Sequence, residues 1–425
     1  MSRRDTYKEY PMQDVSPVTW LKNSHSGEGC SMENVQKVIP PGVSRRTREV
    51  HRQILGYRMS PLKGLDNLSA LLGLGGIWVK DESQRLNLNS FKILGGSFAI
   101  YSYLKNRLGY TDKDVPFSVF NSPEAQKKLS GLTFAAATDG NHGRGIAWAA
   151  GRIGCPAFIY VHKDTTRARI EAIESYGAKV VVVDGTYDEA VQKASADAKE
   201  NGWQIIEDTS WEGYEEIPIW VMQGYTTMYA EVQEQLSAQG FIKPTHIFVQ
   251  AGVGSLAGSI IGFYRGLFGS EAPISIVTEP ERAACIYESA RIGDGKPHPY
   301  RGDLDTIMAG LACGEPNPIA WNILKDCADY FITCPDYVAA KGMRVYGVPL
   351  DGDPFIVSGE SGAVTLGALM FIMQSPECVE LKEALDLGPA SQVLLINTEG
   401  NTDPFHFRQV VWEGSDPVPA EYRSI

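Results

Sequence analysis

At 425 residues the chain is too long for one simple core, so two or three domains are expected. Its 43% hydrophobic, 21% charged and 10% aromatic residues form an ordinary globular mixture and exclude a disordered chain. The net charge is −12 and the only Lys/Arg blocks are short pairs such as Arg3-Arg4 and Arg45-Arg46, which excludes the basic face a nucleic-acid partner requires.

The first residues, MSRRDTYKEYPMQ, contain no apolar segment of the signal-peptide kind. No apolar run approaches the roughly 18 residues of a membrane span. The expectation is a cytoplasmic protein with no membrane partner. Seven cysteines (Cys30, Cys155, Cys285, Cys313, Cys327, Cys334 and Cys378) are scattered, odd in number and free of any CxxC pair. They read as buried reduced thiols, not as a disulfide framework or a zinc site, and no metal is expected.

Residues 1–40 are polar and irregular up to Pro40-Pro41, and read as an arm or an edge element. Beyond about residue 43, short β-rich runs alternate with longer helical stretches. Strands are expected at 76–80, 133–137, 157–161, 179–183, 246–250, 274–277, 330–333 and 393–396. Most are apolar throughout, as strands covered on both faces are. Helices are expected at 92–106, 142–153, 166–176, 187–201, 216–239, 255–268, 335–346 and 361–375. This alternation predicts an α/β protein with parallel sheets. Ligands of such sheets sit beyond the carboxyl ends of the strands, and four loops there carry unusual residues.

The first is Asn87 to Gly96, in which Asn89 or Ser90 is expected to cap a helix. Lys92 then falls in the first turn, where the helix dipole and burial both disfavour a cation. A neutral amine is what Schiff-base chemistry needs; a solvated lysine at a helix start is the plainer reading. The second, Thr138-Asp139-Gly140-Asn141-His142-Gly143, puts polar groups at a strand end, or is an Asx turn in which Asp139 caps the next helix. The third, Gln250 to Gly258, is a glycine loop opening a helix, the geometry of an anion cradle. Its GxGxxxG spacing, with Glu279 after the next strand, also suits a dinucleotide fold. The fourth, Asn397 to Thr402, offers the Thr398 hydroxyl to a ring nitrogen, or is an ordinary polar turn.

Together these segments resemble the fold-type II pyridoxal-phosphate (PLP) enzymes, the tryptophan synthase β and threonine deaminase group. Ser90-Phe91-Lys92 matches the Schiff-base motif and Gly140-Asn141-His142 the GNH loop. Residues 252–256 match the phosphate loop, with Val253 and Ser255 departing from an all-glycine version. The segments VKDES (79–83), TDGNHGRG (138–145), EDTSWEGY (207–214), QAGVG (250–254), IMAGLACGEPNP (307–318), SGESGA (358–363) and NTEGNTD (397–403) resemble the diaminopropionate ammonia-lyase family in order. General deaminases usually carry a small residue where Asp139 stands.

The resemblance implies two open, twisted, mostly parallel sheets flanked by helices, with the active site between domains. It implies an N-terminal arm at 1–42, a large PLP-binding domain of 43–96 plus 222–425, and a small domain at 97–221. It implies elimination of ammonia from 2,3-diaminopropionate to pyruvate. Serine/threonine dehydration or β-replacement is the alternative. Lys92 would carry PLP, Gly252, Val253, Gly254 and Ser255 would hold its phosphate, Asn141 its ring hydroxyl and Thr398 its ring nitrogen. Asp139 and Asp208 would be acid–base groups, sharing with Lys92 the work on both D- and L-substrates. Ser90, Thr138, Asp139 and His142 would meet the substrate, and a homodimer is implied.

Overall fold

The computed structural model describes residues 16–26, 30–110, 113–138 and 140–423. Its strands are β1 (Thr19–Lys22), β2 (Leu62–Gly64), β3 (Gly76–Asp81), β4 (Phe134–Thr138), β5 (Ala157–His162) and β6 (Lys179–Val183). They continue with β7 (Gln204–Ile205), β8 (His246–Gln250), β9 (Ile274–Pro280), β10 (Tyr330–Cys334) and β11 (Gln392–Asn397). Seven form one sheet in the order β1-β10-β9-β8-β11-β3-β2, and four form a second in the order β6-β5-β4-β7. The small sheet is wholly parallel. The large one is parallel except at its edges, where β1 lies antiparallel to β10 and β2 to β3.

Alternate residues of each strand enter different cores, following the two-residue period of a strand. Phe134, Ala136 and Ile159 of the small sheet share a core with Ile247, Val249 and Ile396 of the large one. Ile93, Leu94 and Phe98, on the helix Lys92–Arg107, fill that shared core. The intervening Phe248, Ile276 and Leu395 face a second core with Val364 and Leu369 of the helix Glu360–Gln374. Ala135, Ala137 and Tyr160 pack instead against Ala190, Ala194 and Ala198 of the helix Tyr187–Asn201. The shared core fixes the two sheets against each other and places the Lys92 helix between them. His51 pins that helix: its ring nitrogens lie 3.0 Å from Leu94 O and 2.7 Å from Thr227 Oγ1. Burial pushes its pKa down to about 3, so it is a neutral strut.

The order of strands creates two switch points. From β8 the large sheet grows through β9 and β10 on one side, while β11 and β3 lie on the other. From β4 the small sheet grows through β5 and β6, with β7 on the other side. Loops on either side of such a reversal leave a crevice. Those following β8, β11, β4 and β7 are the ones concerned.

Several expectations are corrected. Within residues 1–40, read as an arm or an edge element, β1 is an edge strand as expected, but the helix Met32–Val38 is not foreseen; there Ser31 Oγ accepts from Asn34 N at 3.3 Å. A four-residue, half-exposed edge strand has too little apolar pattern to fix its bounds in sequence. Neither Asn89 nor Ser90 caps the Lys92 helix; Phe91 stands at the N-cap without a side-chain bond, and Asn89 is left-handed at φ 55°. Cys30 and Cys327 form a disulfide across 297 residues, against the expectation of reduced thiols. Cys30 precedes the helix Met32–Val38, which packs beside the helix Pro318–Cys327, a proximity that spacing along the chain hides. Among the described residues no single helix is long and apolar enough to cross a membrane.

A fully buried charge network underlies the turn that leads into Lys92. Arg85 Nη2 lies 2.7 Å from both Glu82 Oε1 and Glu231 Oε2, and Lys80 Nζ 2.7 Å from Glu231 Oε2. Above it the backbone turns left-handed at Leu86, Asn87 and Asn89. Arg85→Met leaves two buried carboxylates short of their cation, so unfolding stability is expected to fall by about 3–5 kcal/mol. Urea denaturation checks this, and an unchanged midpoint would show the network to be dispensable.

Candidate active site

The crevice is a cavity of about 430 Å³. Lys92 and Ser90 enter it from the turn after β3; Thr138, Asn141 and His142 from the end of β4 and the helix behind it; Asp208 from the loop after β7. Gly252, Val253, Gly254 and Ser255 line it from the loop after β8, and Thr398 from the loop after β11. Residues more than 300 positions apart thus share one space because both sheets present their carboxyl ends to it. Asp139 lies outside the described residues.

Lys92 Nζ donates to Asp208 Oδ2 at 2.7 Å, with side chains 18% and 7% exposed. Burial alone would raise the Asp208 pKa, but the charges of Lys92 and His142 and the Lys92 hydrogen bond outweigh it and hold the group at about 2. The neighbouring Glu207 goes the other way. Burial pushes it well above the usual range, although Oε1 accepts from Ala137 N at 2.5 Å. Burial and charge therefore pull the adjacent pair in opposite directions: Asp208, which lines the cavity, toward the ionised form and Glu207 away from it.

Around Lys92 the backbone is stitched to the loop after β11. Phe91 N donates to Thr398 O at 3.1 Å, Gly400 N to Asn89 O at 2.9 Å, and Ser90 bridges Glu399. Ser90 Oγ accepts from Lys92 N at 3.3 Å. Thr138 Oγ1 accepts from Gly140 N at 2.8 Å and Gly143 N at 3.1 Å, which shapes the turn carrying Asn141. His142 Nε2 lies 2.8 Å from Ile206 O, tying that turn to the Asp208 loop.

The helix Ser255–Phe268 opens on Gly254, left-handed at φ 95°, where a Cβ would meet Ile286 Cδ1 at 2.9 Å. The loop and the start of this helix, Gly252 to Leu256, line the cavity, and the free amides of a helix N-terminus are a ready anion site. A Cβ on Gly252 would come within 3.1 Å of Cys313 Sγ, so the cradle is closed to side chains there. Glu279 cannot meet a ribose. It is fully buried, accepts from Ile286 N at 2.9 Å and Tyr287 N at 2.6 Å, and burial pushes it up to about 8. This removes the dinucleotide alternative. Cys285 is a reduced thiol that donates to Gly252 O at 3.5 Å and does not bond to Cys313.

Three residues outside the expected set complete the site. Gln250 Nε2 donates to Thr398 Oγ1 at 2.9 Å, alongside Ser361 O at 2.8 Å and Ile396 O at 3.1 Å. Thr398 Oγ1 accepts there, so its own hydrogen is the one directed elsewhere. Asn141 Nδ2 donates to Glu399 Oε2 at 2.6 Å. Asn317 is buried between the loops after β7 and β8. The only sequence signals were a polar residue ending an apolar strand at Gln250 and an Asn-Pro helix start at Asn317.

These features fit PLP. An amine shares the cavity with a glycine-bearing loop at a helix N-terminus, and a hydroxyl and an amide line the same space. The volume is that of a small-molecule cofactor site.

Comparison with known proteins agrees. Residues 54–399 match the pyridoxal-phosphate dependent enzyme family. The chain is 46% identical over 375 residues to the diaminopropionate ammonia-lyase of Escherichia coli K12, covering 88% of this chain and 92% of that protein. It is 46% identical over 365 residues to the same-named enzyme of Salmonella typhimurium, covering 86% and 90%. The Escherichia coli diaminopropionate ammonia lyase solved in complex with an aminoacrylate–PLP azomethine reaction intermediate superposes with a TM-score of 0.86 at 42% identity, covering 95% of this chain and 99% of that one. The two-sheet arrangement is accordingly the fold-type II one. With the family match spanning most of its length and close relatives of one kind, this chain belongs to the pyridoxal-phosphate dependent enzymes and, within them, to the diaminopropionate ammonia-lyases.

Proposed function

We propose that the protein eliminates ammonia from 2,3-diaminopropionate, with PLP carried on Lys92 and Asp208 as an acid–base group. The observation that carries this is the 2.7 Å pairing of Lys92 with an ionised, buried carboxylate in the cavity that the phosphate-type cradle lines. When bound, the cofactor supplies an electron sink for the substrate's α-carbon. The chain's own residues hold and orient. The amides of Gly252, Val253, Gly254 and Ser255 receive the phosphate, and Asn141 meets the ring hydroxyl. Thr398, whose oxygen already accepts from Gln250, would donate its hydrogen to the ring nitrogen and leave that nitrogen less protonated than an aspartate would.

Asp208 stays charged at neutral pH. A carboxylate beside the β-carbon attracts a β-ammonium, which favours a diamino acid over serine. The β-ammonium is already protonated, so it leaves as ammonia without a strong general acid. The same carboxylate can hold or return a proton at the substrate carbon, sharing with Lys92 and Asp139 the work that D- and L-substrates require. Ser90, Thr138 and His142 bound the space for the substrate. Addition of water to the three-carbon product then gives pyruvate and a second ammonia.

The test is pyruvate release from D- and L-2,3-diaminopropionate, serine and threonine. The expected kcat/KM for the diamino acid exceeds the others by at least about tenfold. Faster turnover of serine or threonine would make the enzyme a dehydratase. We also propose a cytoplasmic homodimer. The reduced thiols of Cys155, Cys285, Cys334 and Cys378 support the compartment, whereas the Cys30–Cys327 disulfide is uncommon there. The exposed Phe405, Trp412 and Val348 support a partner surface. A monomer mass in light scattering, or recovery outside the cytoplasmic fraction, would count against these.

A further inference from the structure

Asn317 is fully buried and is not part of the cavity wall, yet it joins the two loops that matter most. Its Nδ2 donates to Ser255 Oγ at 2.8 Å and to Asp208 O at 3.2 Å. Its Oδ1 accepts from Ser210 Oγ at 2.6 Å and from Ile319 N at 3.0 Å, and its backbone N donates to Val253 O at 2.7 Å. Ser255 Oγ in turn donates to Asp208 O at 2.5 Å.

Hydrogen-bond inventory decides what these contacts mean. Ser255 has one hydroxyl hydrogen, and it points at Asp208 O. The phosphate cradle therefore receives the backbone N–H of Ser255, not its hydroxyl. The Asp208 carbonyl is held from one side by two donors, Ser255 Oγ and Asn317 Nδ2. That leaves the Asp208 side chain only its own two torsions with which to reach Lys92. The loop after β7 belongs to the small sheet and Ser255 to the large one, so the clamp spans the cleft.

We propose that Asn317 is a positioning residue: through Ser255 it clamps the Asp208 peptide and so sets the carboxylate against the nitrogen of Lys92. This rests on the reading of Asp208 given under the proposed function. The cradle itself is held by backbone, Val253 O accepting from the Asn317 N–H, a contact that a side-chain substitution leaves in place. An error of about 1 Å in such a group lowers rate by about 100-fold.

The test is Asn317→Ser in the PLP-loaded enzyme, beside Asp208→Asn. Serine keeps an N-cap oxygen for the helix Pro318–Cys327 and adds no charge, but has no amide to reach Ser255 or Asp208. Three readouts are taken: PLP retained after dialysis, kcat and KM on diaminopropionate, and the pH midpoint of the visible band of the cofactor on Lys92. A carboxylate held close favours the protonated nitrogen, so loosening it moves that midpoint to lower pH. The expected result is wild-type PLP retention, kcat lower by about 10–100-fold with KM within about threefold, and a midpoint lower by about one unit, as in Asp208→Asn. Ser255→Ala is expected to shift the midpoint the same way, and carries the test if Asn317→Ser does not fold. A wild-type midpoint, or rate lost only in step with lost PLP, overturns the proposal. Should the wild type yield no pyruvate, the proposed activity fails while the band midpoint still judges the clamp.

Discussion

Lys92→Ala is expected to keep PLP without a covalent bond and to lose turnover by about 10⁴-fold or more. The cradle around Gly252 to Ser255 is made of backbone, and Thr398 and Asn141 come from other loops, so the variant retains the holding groups. What it loses is the only lysine amine that the described residues place in the same cavity. Borohydride treatment followed by mass spectrometry is the direct measurement: a cofactor adduct on the wild-type peptide containing Lys92, none on the variant. An adduct at another lysine would sink the assignment.

The same substitution reverses a pH dependence in the cofactor-free protein. With Lys92 present, the folded Asp208 pKa of about 2 lies below the ordinary aspartate value of about 3.9. Its contribution, on the order of 2–3 kcal/mol, is therefore complete above about pH 4–5 and is lost as pH falls through about 2. Without Lys92, burial dominates and the pKa rises above the unfolded value. The variant then loses stability as pH rises through that raised value. Thermal melts between pH 3 and 8 should show opposite slopes for the two proteins.

Asp208→Asn carries the second large effect. It removes the charge facing Lys92 while keeping the shape, and PLP retention is expected to stay near wild type. Turnover of diaminopropionate is expected to fall by about 10²–10⁴-fold, the usual contribution of a positioned acid–base group. The attraction for the β-ammonium goes with it, so preference for the diamino acid over serine should shrink too. Measuring kcat/KM for both substrates separates the two roles. Turnover within a factor of two of wild type would remove Asp208 from the chemistry, and an unchanged substrate ratio would remove it from selectivity.

Much of this architecture was open to reading from residues alone. The longer strands between β3 and β11 announce themselves as apolar runs, whether buried like His246–Gln250 or at a sheet edge like Lys179–Val183. The short β2 and β7 do not, nor does the edge strand β1, because two to four residues carry too little pattern. Helices such as Cys285–Ile292 and Pro318–Cys327 went unread because mixed polar loops flank them. The position of Lys92, the glycine loop and the polar strand ends were legible for a simple reason: each is a local departure from the pattern around it.

Sequence by itself determined the alternating α/β order, the loops where chemistry had to lie, and a lysine poised at a helix start. Tertiary structure alone decided which of those loops meet. It turned Glu279 inward onto a helix, joined Cys30 to Cys327, set Asp208 against Lys92, and made Gln250 and Asn317 the supports of Thr398 and Ser255. Those outcomes depend on strand order and on two sheets facing across a shared core, and no local pattern encodes the distance between residues that hundreds of positions separate.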